Sequence, residues 1–294
     1  MVFLDQLLKE YFIEIFGNTY RVEGGGNMAR AKGPDISTWQ RSDNVPGEPN
    51  TDLLTDDADF LIAKRGQNNR IDVDFDFWYS RIHGKIPMSD YLFGEYDHYA
   101  APQAKWYIDQ RKVKPMDFRG TFDVEPYKRF DVSSQLWVPV PLPPAYNLVQ
   151  WIFDFGDPYK EEFKEWPMLY INGSLAIYIK GSGHKRLNEL KEWPLWLSYP
   201  GAEQIIYDSG YLGIWNKWTL WQYSWTINGY AHGVETKELD YNYFNGTNED
   251  FLKWANISQT PPIVTPPTPQ PIDIIAELNA ITKAVADIKI KMTV

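Results

Sequence analysis

The chain has 294 residues, 44% of them hydrophobic and 16% aromatic, and a net charge of −10 from 29 basic against 39 acidic residues. That length suits one large domain or one domain with a small appendage. The acidic balance and the lack of a Lys/Arg cluster exclude a nucleic-acid binder, and a chain without cysteine has no disulfide, thiol catalyst or thiolate metal site.

The first 31 residues read as an N-terminal amphipathic extension. Leu4, Leu7, Leu8, Tyr11, Phe12 and Ile15 follow a helical period, and "EGGGN" breaks it. Met28 follows the break, so residues 1–27 read equally as an upstream extension of the true start. Asp5, Lys9, Glu10 and Glu14 leave neither a basic n-region nor an uncharged span, so no signal peptide or membrane helix is expected.

From 32 to 258 short apolar runs alternate with helical patterns. Strands are predicted at 59–66, 90–99, 118–125, 167–172, 194–200 and 218–224, with helices at 101–112 and 145–155. Repeated β-then-α units argue for a parallel sheet or an α/β barrel. Helical patterns are hard to find after residue 167. "VPVPLPP" (138–144) reads as a surface loop, while "TPPIVTPPTPQP" within 259–271 reads as a stiff linker. Beyond it, Ile274, Leu278, Ile281, Val285, Ile288 and Met292 repeat at heptad spacing. Residues 272–294 are therefore expected to form a short helix, either a three- or four-stranded coiled coil or an amphipathic helix docked on the barrel or on a larger assembly.

Chemistry concentrates at "GTFDVEPY" (120–127). Alternate strand residues share a face, which puts Asp123 and Glu125 together with Cα atoms roughly 6–7 Å apart. Pro126 ends the strand, and the carboxyl ends of barrel strands are where catalytic groups sit. A carboxyl in an apolar cleft beside a second carboxylate stays protonated to higher pH, which equips it as a general acid for glycoside cleavage. A loop-edge pair that binds a cation or solvent is the alternative for so short a motif. The histidines, His83, His98, His184 and His232, lack H-x-x-x-H spacing, so no metal site is expected. No phosphate-binding P-loop motif occurs, and no cofactor is expected.

Six fragments in order resemble glycoside hydrolase family 25, the muramidase-type lysozymes often found as phage endolysins. They are "GPDISTWQ" (33–40), "FLIAKRGQ" (60–67), "GEYDHY" (94–99), the D-x-E strand, "PMLYIN" (167–172), and the pair "LWQYS" (220–224) with "LDYNYFNG" (239–246). The resemblance spans about Gly33 to Trp254. It implies an irregular TIM-like (β/α) barrel whose late strands lack helices, and hydrolysis of the β-1,4 bond between N-acetylmuramic acid and N-acetylglucosamine in bacterial peptidoglycan. Glu125 maps to the general acid, Asp123 to its partner carboxylate at the substrate N-acetyl group, and Asp35 and Asp240 to the other two cleft acids. Tyr96, Tyr170, Trp196, Trp221 and Gln222 are expected to contact substrate. Arg65 and Asp97 depart from the family pattern, with a compensating ion pair between them as one expectation, and the 131–145 insertion is longer than usual. A family-25 domain without a signal peptide suits a lysin made in the cytoplasm that reaches the wall after release, or a virion-borne enzyme. The alternative is a non-catalytic glycan-binding or virion-assembly module on the same barrel.

For the tail, deletion of residues 272–294 is expected to lower the solution mass by a whole-number factor. Light scattering that reads a monomer before and after deletion rules out oligomerisation through this segment.

Overall fold

The computed structural model describes residues 29–41 and 49–257. The expected linker (259–271), the heptad helix and residues 1–28 of the expected N-terminal extension lie outside the described residues, and Arg30 and Ala31, expected to close that extension, open the first strand.

Eleven strands are described: β1 (Arg30–Ile36), β2 (Leu61–Gln67), β3 (Arg70–Ile71), β4 (Met88–Phe93), β5 (Thr121–Asp123), β6 (Lys128–Asp131), β7 (Leu136–Pro139), β8 (Met168–Asn172), β9 (Leu195–Ser198), β10 (Leu220–Asn228) and β11 (Glu238–Thr247). The helices are α1 (Thr51–Asp56), α2 (Phe75–Ile82), α3 (Ala100–Val113), α4 (Ala145–Phe163), α5 (Gly173–Lys180), α6 (Leu187–Leu190), α7 (Glu203–Asp208) and α8 (Asn248–Trp254). A nine-stranded sheet runs β1-β11-β10-β9-β8-β5-β4-β2-β3, and β1 also pairs with β2. With β3 as an outer addition, the other eight strands close a barrel. Pairing is parallel from β1 through β10, whereas β11 lies antiparallel between β10 and β1. The expected irregular α/β barrel is therefore present. No described helix is long and apolar enough to cross a membrane.

Side-chain alternation sorts the core into two sides of one sheet. On β8, Met168 and Tyr170 join Phe60, Ile62, Trp196 and Leu220 in the barrel interior, while Leu169 and Ile171 join the layer under the helices. α4 carries much of that outer layer through Leu148, Ile152, Phe155 and Tyr159. Its Gly156 lies where an added Cβ would fall 1.9 Å from the Trp193 ring, so only glycine admits this helix–indole approach.

Several boundaries differ from the sequence expectation. The strand expected at 118–125 is only Thr121–Asp123, although the Val124 amide still donates to the Tyr170 carbonyl at 3.0 Å. Pro126, without an N–H, cannot prolong the ladder. The late strands do have helices after them, α5 to α7, but these are too short to display a 3.6-residue period. Only β10 passes into β11 without an α-helix, through a 3-10 turn at Gly229–His232. The Pro-rich 138–144 run, expected as a surface loop, begins inside the second strand of an unexpected hairpin, β6–β7.

Arg65 and Asp97 do not pair with each other. Arg65 points out of the barrel to Asp90, and its other two nitrogens donate to the Gln110 and Lys114 carbonyls at 3.0 and 2.8 Å. It thereby adds a second donor to the Gln110 carbonyl, which also accepts from the Lys114 amide, and binds the C-cap carbonyl of Lys114 at the end of α3. Arg111 meets the second Asp90 oxygen at 2.5 Å, and the Tyr107 hydroxyl donates to the same oxygen at 2.8 Å. Asp97 instead binds Tyr127, His98 and Arg129 at the barrel rim. Alternation explains the outcome: Lys64 turns into the barrel, so its neighbour Arg65 must turn out.

Asp90 and Arg65 are fully buried and Arg111 nearly so. Asp90→Asn leaves two buried guanidiniums short of charge and is expected to cost about 3–5 kcal/mol in urea unfolding. A change within about 0.5 kcal/mol, the range of ordinary surface substitutions, would refute this role.

Candidate active site

The carboxyl-end rim of the barrel opens into a cleft of about 800 Å³. Asp35, Asp123, Glu125 and Asp240 all line it, so the four acids singled out from sequence converge. Each reaches it by a different route. Asp35 is next to last on β1 and directly opposite Asp240 on β11. Asp123 ends β5 beside Tyr170 of β8, and Glu125 follows one buried residue later.

A hydrogen-bonded floor holds Asp35. Its Oδ2 accepts from Asn242 Nδ2 at 2.8 Å and from Gln222 Nε2 at 3.1 Å. Gln222 Oε1 accepts in turn from the Tyr170 and Ser198 hydroxyls, both at 2.9 Å, and Asn242 Oδ1 accepts from Trp196 Nε1 at 2.7 Å. Each side-chain amide is thus oriented, oxygen toward hydroxyl or indole and nitrogen toward carboxylate. Asp123 Oδ1, by contrast, is buried with no hydrogen-bond partner among the described residues.

Burial is the main reason these carboxyls hold their protons. It pushes Asp35 up to about 6, against the lowering effect of the Asn242 and Gln222 amides. Glu125 rises to about 7 through burial and then the Asp35 charge, while the Tyr170 hydroxyl and Lys64 oppose the rise. Asp240 rises to about 8 through burial, Asp35 and Glu125. Asp123 rises well above the usual range through burial and then Glu125. The four carboxyls influence one another's ionisation across the cleft.

Of the expected substrate contacts, Tyr170, Trp196 and Gln222 line the cleft. Tyr96 and Trp221 do not. Tyr96 packs on Tyr127 and Trp151 and donates to the Val140 carbonyl at 3.0 Å, and Trp221 lies in the outer layer, donating to the Tyr199 carbonyl at 2.6 Å. Trp221 faces out because it neighbours the inward Gln222, the alternation already visible in "LWQYS". The sequence reading passed over Lys64, Tyr91, Phe93, Trp39 and Trp225, which also line the cleft, and Asn242 in its floor. Asn242 had a signal, two residues from Asp240 on one strand. Trp225 had none: Gln222 pairs with Asn242 but Ser224 with Tyr241, so a bulge shifts the alternation and carries Trp225 to the cleft side. Trp39 is 77% exposed at the mouth, on a 3-10 turn fixed by the reciprocal Ser37–Gln40 capping box.

Among the described residues, Glu95, Asp97 and His98 bring possible metal-ligand atoms within 4.8 Å of one another. Both carboxylates are committed elsewhere, Glu95 to Gln67, Asn68 and Arg70, and Asp97 to Tyr127 and Arg129, while His98 pairs with Asp97 and Glu95 themselves. This is an ion-pair knot beside the cleft.

The site is thus a (β/α) barrel with four acids at its carboxyl rim, Asp35 and Asp123 buried and Glu125 and Asp240 half-buried. Comparison with solved structures refines this. The chain is similar to the bacterial lysozyme of Streptomyces coelicolor, at 21% identity over 79% of this chain and 100% of that one, with TM-score 0.59. It is similar to a family 25 glycosyl hydrolase of Bacillus anthracis, at 16% identity over 81% and 100% of the two chains, TM-score 0.59. It also resembles the modular autolysin LytC of Streptococcus pneumoniae, solved with a synthetic peptidoglycan ligand, at 19% identity over 76% of this chain and 48% of that one, TM-score 0.56. No protein-family model and no curated sequence matches the chain. The fold is that of the family 25 lysozymes.

The raised carboxyls oppose folding at high pH. Asp240 titrates near 8 in the fold against an ordinary 3.8, so the native state holds the extra proton between those values and stability falls as pH rises through them. Asp240→Asn is expected to stabilise the protein by more than about 1 kcal/mol at pH 8.5 and to do nothing below pH 4. Equal melting shifts at both pH values would contradict this.

Proposed function

We propose that the chain is a peptidoglycan hydrolase that cleaves the β-1,4 bond between N-acetylmuramic acid and N-acetylglucosamine. The observation that carries the reading is the convergence of Asp35, Asp123, Glu125 and Asp240 in one cleft, with Glu125 protonated up to about pH 7. The similarity to lysozymes and to an autolysin solved with a peptidoglycan ligand supports it.

In the proposed reaction Glu125 donates its proton to the glycosidic oxygen as the bond to the anomeric carbon breaks. The acetamido carbonyl oxygen of the same sugar attacks that carbon, and its N–H donates to the unpartnered Oδ1 of Asp123. Accepting that hydrogen bond favours the ionised form of Asp123. Glu125, now a carboxylate, takes a proton from the water that opens the cyclic intermediate. Two displacements on the same carbon give net retention. Asp35 ionises near 6, below Glu125, and its charge keeps the acid protonated. Tyr170 and Trp196 form the cleft floor beneath the sugar, and Gln222 orients Tyr170.

Wild-type protein is expected to clear a suspension of purified cell walls and to leave muramic acid at the new reducing ends, read by mass spectrometry. Glu125→Gln is expected to lower the rate by at least about 100-fold. Activity falls as pH rises through about 7, where Glu125 loses its proton. Proton NMR is expected to show the β-anomer first. Equal lysis by both proteins removes Glu125 from the mechanism, and the α-anomer first removes retention. No lysis by either, with wall binding kept, supports the binding-module alternative.

A further inference from the structure

Glu125 does not stand on a strand. β5 ends at Asp123, and Pro126 has no N–H to continue the ladder. Backbone hydrogen bonds flank the acid on either side: the Val124 amide donates to the Tyr170 carbonyl of β8 at 3.0 Å, and the Val140 amide donates to the Tyr127 carbonyl at 2.9 Å. Past Tyr127 the chain runs into the exposed β6–β7 hairpin. Asp97 fixes that far side. Its Oδ1 accepts from the Tyr127 hydroxyl and meets the His98 ring at 2.9 Å, and its Oδ2 accepts from Arg129 at 2.7 Å. The Tyr127 ring adds to the grip, packing on Tyr96 and Phe93 with centroids 4.8 and 5.6 Å away.

The loop that carries Asp97, between β4 and α3, is itself braced. The Gly94 amide donates to the Asp123 carbonyl at 2.9 Å, and Trp151 of α4 donates to the His98 carbonyl at 2.7 Å. Gln103 of α3 bonds both the amide and the carbonyl of Glu95. Asp97 therefore ties the segment after Glu125 to β5, α3 and α4 at once.

We propose that Asp97 is a positioning residue for Glu125. Through Tyr127 and Arg129 it holds the loop that carries the acid against the cleft wall. The inference rests on the reading of Glu125 as the proton donor. Such an acid must lie within hydrogen-bond reach of the glycosidic oxygen, and a misplacement of about 1 Å costs on the order of 100-fold in rate. A loop pinned on the β8 side alone has that freedom.

The test measures kcat and KM on soluble peptidoglycan strands for Asp97→Ala and for Tyr127→Phe, which removes only the hydroxyl. The expected result is a kcat at least about tenfold lower for Asp97→Ala and at least about threefold lower for Tyr127→Phe, with KM within about twofold of wild type in both. In Glu125→Gln protein the same substitutions are expected to change the residual rate by less than about twofold, because the group they position is gone. An unchanged kcat, a loss carried by KM, or an equal loss in the Glu125→Gln background overturns the proposal. Tyr127→Phe decides it where Asp97→Ala does not fold. Amide hydrogen exchange at Val140 reads the grip without catalysis. It is expected to quicken at least about tenfold in Tyr127→Phe, and unchanged exchange overturns the grip. Wild-type protein that releases no reducing ends refutes the hydrolase reading, and with it the acid to be positioned, while the exchange measurement still decides the grip.

Discussion

Antiparallel pairing of β1 with β11 sets Asp35 directly opposite Asp240. Like charges in that relation destabilise a sheet, and these two lie at the mouth of a barrel rather than in open solvent. The conflict is relieved in two ways. Asn242 and Gln222 donate to Asp35, and desolvation holds a proton on Asp240. The remaining floor follows from that need. Tyr170, Ser198 and Trp196 serve to point the two amides, so side chains from four strands lock around one carboxylate.

The same opposition poises the chemistry. Acids with identical intrinsic strength separate in pKa because their surroundings differ: Asp35 accepts two amide hydrogen bonds, while Asp123 has an oxygen with none. The result is a cleft in which Asp35 is raised to about 6 and Glu125 to about 7. A strained, acidic rim is tolerable because the opposite face of the sheet is heavily apolar. The aromatic layer under α3 to α5 and the buried Asp90 knot with Arg65 and Arg111 fix the strands from outside.

Much of this was legible along the chain. D-x-E spacing and the proline after it placed Asp123 and Glu125 on one side of a strand end. Alternation in "LWQYS" separated Trp221 from Gln222, although it could not say which of the two faced the cleft. Trp221 is the one that lies off the cleft, and Tyr96 lies off it because "GEYDHY" leaves its strand at Phe93 and turns toward α3. The supposed Arg65–Asp97 pair failed for a related reason, since residue spacing carries no information on which long-range partner an outward arginine meets.

Local patterning by itself determined six of the barrel strands, which residues of a strand share a side, and the candidate acids, because period-2 alternation and proline punctuation are properties of the backbone. Tertiary structure decided what faces what. The antiparallel return of β11, the bulge on β10 that carries Trp225 round to the cleft, and the hairpin beside Glu125 depend on ring closure and cross-strand register. Those are set by hydrogen bonds between segments far apart in sequence, which no short window contains.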